Sequence, residues 1–113
     1  MDIQTLQDEI YEELLDEIGI ADTDTLSQKQ LLSKVKDAIR EVSITRYYPE
    51  SYTEEKIAND LNRYFSNIKG LARYDYNQIG AEGETSHSES GESRTWKDRR
   101  ELLIGVIPFA RVY

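Results

Sequence analysis

Ile3, Leu6, Ile10, Leu14 and Ile18 recur at intervals of three and four residues. An α-helix gathers residues so spaced onto one side, whereas a strand would scatter them over both faces. The spacing therefore predicts a helix from Asp2 to about Ile18, with Tyr11 and Leu15 widening its apolar stripe and Gly19 stopping it. The same period returns along the chain. Asp22-Thr23-Asp24-Thr25 reads as a turn with several N-cap candidates, Ser27 being another. A second helix is expected over about 28–44, with Leu31, Leu32, Val35, Ile39 and Val42 on its buried face, ending at Arg46-Tyr47-Tyr48-Pro49. Ser51-Tyr52-Thr53-Glu54 fits a capping box. From there a third and longest helix is expected, with Ile57, Leu61, Tyr64, Phe65, Ile68, Leu71 and Ala72 in period, Gly70 as a weak interior point and Gly80 as the stop. A short last helix is expected over about 97–106, carrying Leu102, Leu103 and Val106 and closed by Pro108.

The segment from Gly80 to Ser93 breaks this pattern. It holds three glycines, four acids and almost no apolar side chain, so it cannot pack a core of its own. Two readings stand: a loop, or an extended arm or β-hairpin turning near Ser90-Gly91 that orders against a neighbour, with Trp96 anchoring its end. The expected fold class is all-α: a small bundle of about four helices, with an extended loop or β-hairpin between the long third helix and the short last one.

With 113 residues the chain is expected to form a single domain, residues 1–113. At 38% apolar and 32% charged it is short of core material, and oligomerisation would complete its burial. The absence of cysteine excludes disulfides and thiolate metal sites. The N-terminus lacks the basic and apolar regions of a signal peptide, and the longest apolar stretch, Leu102 to Ala110, is too short for a bilayer, so no membrane association is expected.

The net charge is −8, and its distribution is uneven. The first 25 residues hold nine acids and no lysine or arginine, whereas Arg94, Lys97, Arg99 and Arg100 cluster late. Such an acidic face repels free duplex DNA, and opposed ends of unlike charge suit head-to-tail contact between identical subunits. A solvated helix face explains the N-terminal acids equally well.

Catalysis has little to stand on, and the chain is expected not to be an enzyme. The one histidine, His87, lies in the serine-rich segment without an orienting partner. Asp22-Thr23-Asp24 opens like a calcium loop, but the positions requiring glycine and glutamate hold Ser27 and Ser33. The glycine-rich segment lacks the lysine of a phosphate-binding loop, and Glu12 with Asp16 reads as a solvated face. No cofactor or metal is expected. Tyr47, Tyr48 and Tyr52 form a cluster suited either to an interface or to a partly buried loop cap.

From about Ile68 onward the sequence carries a more specific pattern. Gly80-Ala81-Glu82-Gly83-Glu84-Thr85-Ser86-His87-Ser88-Glu89 is followed by Gly91-Glu92-Ser93-Arg94-Thr95-Trp96, then Leu102-Leu103, then Ile107-Pro108-Phe109-Ala110-Arg111-Val112. This order resembles the head–tail connectors, or head-completion adaptors, of tailed bacteriophages, over roughly the last third of the chain. The resemblance implies a structural virion protein at the head–tail interface, present in host cytoplasm during assembly. Its subunits would form a homo-oligomeric ring of about twelve below the portal protein, join a further head-completion or tail protein, and pass DNA through the channel without sequence-specific binding. It places subunit contacts in the loop, on Glu82, Glu84, Ser86, His87, Glu89, Arg94 and Trp96. The tail, residues 107–113, would dock on the portal through Ile107, Pro108, Phe109, Arg111, Val112 and Tyr113. An acidic lumen would repel phosphate, and either the N-terminal or the loop acids could line it. The exposed apolar tail needs a cover, from the portal or from the bundle itself. An alternative reading is an acidic DNA mimic or regulatory protein-binding module, built on the carboxylates of the first helix.

Overall fold

The computed structural model describes residues 1–81 and 99–108. Four α-helices, α1 (Ile3–Ile18), α2 (Thr25–Arg46), α3 (Glu54–Asn62) and α4 (Phe65–Ala81), precede a 3-10 helix at Arg99–Leu103. Among the described residues there is no strand. The small helical bundle expected from the apolar period is present. The loop or hairpin expected over residues 80–95 lies, beyond Ala81, outside the described residues.

The first three helices each begin where a side chain satisfies a backbone donor that the helix leaves unpaired. Asp2 caps α1, accepting from the Thr5 N–H at 2.8 Å. Asp24 caps α2, accepting from the Ser27 N–H at 3.1 Å, so Ser27 lies inside the helix. Thr53, rather than Ser51, caps α3, accepting from Lys56 N–H at 3.2 Å. Gly19 ends α1 in the left-handed region at φ 82°. Tyr47 does the same for α2 at φ 57°, an unusual conformation for a residue with a side chain.

Leu6, Ile10 and Leu14 of α1 meet Leu31, Val35, Ile39 and Val42 of α2, and Leu61, Ile68, Leu71 and Ala72 of α3 and α4, in one core. Val106 completes it from the C-terminal segment.

Two expectations need correction. The long third helix is two helices, because the chain tightens between them: Arg63 N–H donates to the Asp60 carbonyl at 3.0 Å and Tyr64 N–H to the Leu61 carbonyl at 2.8 Å. These three-residue bonds replace the four-residue α-helical pattern and break the rod. The apolar spacing hid the break, since Leu61, Tyr64 and Ile68 stay in period across it. The last helix is a 3-10 turn, not an α-helix reaching Val106. Gly105 takes φ 93° and ends it.

Acid should loosen this bundle through its caps. Backbone and side-chain hydrogen bonds from Thr5 hold the Asp2 carboxyl below the usual aspartate range, and hydrogen bonds from Ser27 do the same for Asp24. Hydrogen bonding to Lys69 lowers Glu17 likewise. A carboxyl depressed in the folded state stabilises it fully above the unfolded value, and that contribution disappears as pH falls through the folded value. The urea midpoint is therefore expected to stay level from neutral pH to about 5, then fall below the ordinary glutamate and aspartate values of 4.5 and 3.8. Asp2→Asn and Asp24→Asn should each flatten that fall.

Candidate docking surface

Arg46, the last residue of α2, is 5% exposed although it carries a charge. An unpaired charge at that depth is strongly disfavoured, so its partners must be complete. Asp60 of α3 supplies both carboxylate oxygens, to Nε at 2.8 Å and to Nη2 at 3.1 Å. Tyr48 donates its hydroxyl to Asp60 Oδ2 at 2.6 Å. Burial, then the hydrogen bond and charge of Asp60, push the Tyr48 hydroxyl far above the usual tyrosine range, so it remains a neutral donor. The guanidinium lies 5.0 Å from the Tyr64 ring centre. The break between α3 and α4 sets Tyr64 at the end of its own short turn, facing the same arginine as Asp60.

The remaining arm of Arg46 reaches the C-terminal segment: Nη1 donates to the Ile107 carbonyl at 2.9 Å. Two further holds fix that segment. Asn67 of α4 donates through Nδ2 to the Leu102 carbonyl at 2.7 Å. Arg99 bridges two helices, meeting Glu41 of α2 through Nη1 at 2.9 Å and Nη2 at 2.6 Å, and Asp75 of α4 through Nε and Nη2, both at 2.8 Å. Its hydrogen bonds to Glu41, then to Asp75, raise its pKa further, so it stays charged. Gly70 lets the segment approach α4: a Cβ there would sit 3.2 Å from Leu102 Cδ2. The weak point in the helix is thus a contact point in the fold.

So held, the segment turns Val106 inward and leaves Ile104 and Ile107 outward, 73% and 60% exposed. Pro108 is exposed beside them. Of the expected portal-docking residues, Ile107 and Pro108 lie on this surface, whereas Phe109, Arg111, Val112 and Tyr113 lie outside the described residues. The expected subunit contacts Glu82, Glu84, Ser86, His87, Glu89, Arg94 and Trp96 also lie outside them.

No family model matches the sequence, and no curated protein or solved structure is significantly similar to it. Among the described residues no group of histidine, aspartate and glutamate is placed to hold a metal, and no helix is long and apolar enough to cross a membrane. Sequence reasoning missed Arg46, Asp60 and Arg99 as a set. Each is an ordinary surface residue by type, and only the pairing at sequence separations of 14, 58 and 24 reveals them. The tyrosine cluster divides: Tyr48 and Tyr52 are half-buried and stacked at 6.0 Å, whereas Tyr47 is 66% exposed.

Removing the Arg99 bridge should free the C-terminal segment while sparing the four-helix core. In Arg99→Ala, hydrogen exchange at the Val106 N–H, bonded to the Leu103 carbonyl at 2.9 Å, is expected to speed up by roughly tenfold. Exchange at Leu14 and Val35 should not change; equal acceleration there would mean that the segment unfolds only with the whole bundle.

Proposed function

We propose that this chain is a structural assembly protein of the phage head–tail connector kind. It forms a ring below the portal, extends the DNA channel and joins capsid to tail; it performs no catalysis and uses no cofactor. The observation that carries this reading is the C-terminal segment. Two polar contacts hold its backbone and a third is made by its own Arg99 side chain, and Ile107 and Pro108 lie at the surface, at the start of the motif that resembles the connector tail. An apolar pair fixed outward in this way suits a partner that covers it.

Native mass spectrometry over a concentration series, with and without a candidate portal protein, tests the reading. Closed rings of about twelve subunits, alone or on the portal, are expected. A monomer or dimer that persists in both conditions overturns it.

The outward face of α1 favours a second reading, that of an acidic binder. Asp8, Glu9, Glu12 and Asp16 are all exposed there, opposite the core residues. That reading requires salt-sensitive binding to a basic DNA-binding protein, lost when Glu9, Glu12, Glu13 and Asp16 become lysine.

A further inference from the structure

The solvent-facing side of α2 differs from that of the other helices. At 3.6 residues per turn, Leu26, Lys29, Lys36, Arg40 and Ile44 fall on one stripe, opposite the buried Leu31, Val35 and Val42. Leu26 and Ile44 are 66% and 69% exposed at the two ends of this stripe. Between them Lys29, Lys36 and Arg40 are exposed, and they line a shallow groove together with Leu32, Ser33 and the single acid Asp37. Among the described residues Lys29 and Lys36 form no ion pair, and Arg40 makes a long exposed contact with Asp37 at 3.4 Å. In a chain of net charge −8, three cations and two apolar side chains share one helix face that serves no other part of the described structure.

The matching surface is on the same chain. Along α1, Glu13 and Glu17 are engaged by Lys69 and Arg73 of α4, Lys69 lying 2.9 Å from Glu13 and Arg73 lying 3.0 Å from Glu17. Glu9, Glu12 and Asp16 point away from that cluster, are exposed, and pair with no cation among the described residues. At 1.5 Å per residue they span about 10 Å of helix, and Lys29 to Arg40 spans about 16 Å. Within one molecule these faces cannot meet, because each lies opposite the core that α1 and α2 share.

We infer that the α2 face of one copy binds the α1 face of the next, Lys29, Lys36 and Arg40 receiving Glu9, Glu12 and Asp16. Two different faces in contact make a heterologous interface, which repeats around a ring or along a filament. This deepens the connector reading and rests on its self-assembly. It also withdraws the α1 acids from any channel lining. Charge complementarity favours a second copy over DNA, which the acidic balance of the chain repels.

The test is charge exchange on the full chain. Variant A carries Lys29→Glu, Lys36→Glu and Arg40→Glu; variant B carries Glu9→Lys, Glu12→Lys and Asp16→Lys. All six sites are exposed, and circular dichroism checks that each variant folds. In sedimentation velocity at low salt the native chain is expected to self-associate, each variant alone to lose at least tenfold in association, and the equimolar mixture of A and B to recover it. Raising salt to about 0.5 M should weaken the native and mixed assemblies alike. If the native chain assembles and both variants assemble equally well, this interface is wrong while the connector reading stands. If the native chain never assembles, with or without portal, both fall. Loss without recovery in the mixture, or duplex DNA binding that variant A alone removes, also overturns the proposed contact.

Discussion

Replacing Arg46 by methionine is expected to destabilise the protein by about 3–5 kcal/mol, the range seen when one partner of a buried ion pair is removed. The side chains of Arg46 and Asp60 are 7% and 9% exposed, so the carboxylate left behind cannot recover full hydration. Tyr48 would still donate to it at 2.6 Å, and Arg63 approaches at 3.5 Å from the solvent side, which keeps the loss at the lower end of that range. Set against the 5–15 kcal/mol typical of a domain, the change should move the urea midpoint by at least about 1 M. The informative comparison is the double variant Arg46→Met with Asp60→Leu. If the penalty comes from an unpaired buried charge, removing both partners should recover more than about 1 kcal/mol relative to the sum of the single changes. Simple additivity would show that Arg46 acts through packing alone. The same substitution releases the Ile107 carbonyl, so on the proposed connector reading binding to a portal is expected to fall in Arg46→Met even at temperatures where the bundle stays folded.

Leu71→Ala is the second large effect. Leu71 is fully buried on α4, within the core that α1 and α2 complete. Deleting its branched end removes apolar burial and leaves a cavity that the surrounding helices only partly fill, at a cost of about 2–5 kcal/mol. Ile104→Ala, at a site 73% exposed, should change stability by less than about 0.5 kcal/mol. Paired urea titrations of the two variants separate core from surface. A Leu71→Ala loss below about 1 kcal/mol would mean that the core repacks freely.

The two predictions draw on features that were unequally legible in the sequence. Leu71 announced itself: the spacing of Ile68, Leu71 and Ala72 marks a buried helical face without reference to any other part of the chain. Arg46 did not. It stands where a helix runs into Tyr47-Tyr48-Pro49, and arginine near a helix end is ordinarily a surface residue favoured by the helix dipole. Its burial follows from Asp60, Tyr64 and Ile107 converging on it from later in the chain.

Local information thus determined the helical class, the core faces of α1 and α2, and the stops at Gly19 and the tyrosine turn. These depend on contacts between residues three and four apart, and the intervals between apolar side chains record such contacts directly. Only the tertiary structure decided that the third helix divides at Arg63-Tyr64, that the last turn is 3-10, and that Gly70 is a contact point for Leu102. The break is made of local three-residue bonds that the unbroken apolar spacing masks, whereas the contacts of Gly70 and Asn67 with the Leu102 region join residues far apart in the chain, and no local pattern encodes which distant groups will meet. The C-terminal segment is the clearest case. Its apolar residues were visible as a group, yet the division between an inward Val106 and an outward Ile107 follows from Arg46 and Asn67 holding its backbone and from its own Arg99 reaching Glu41 and Asp75.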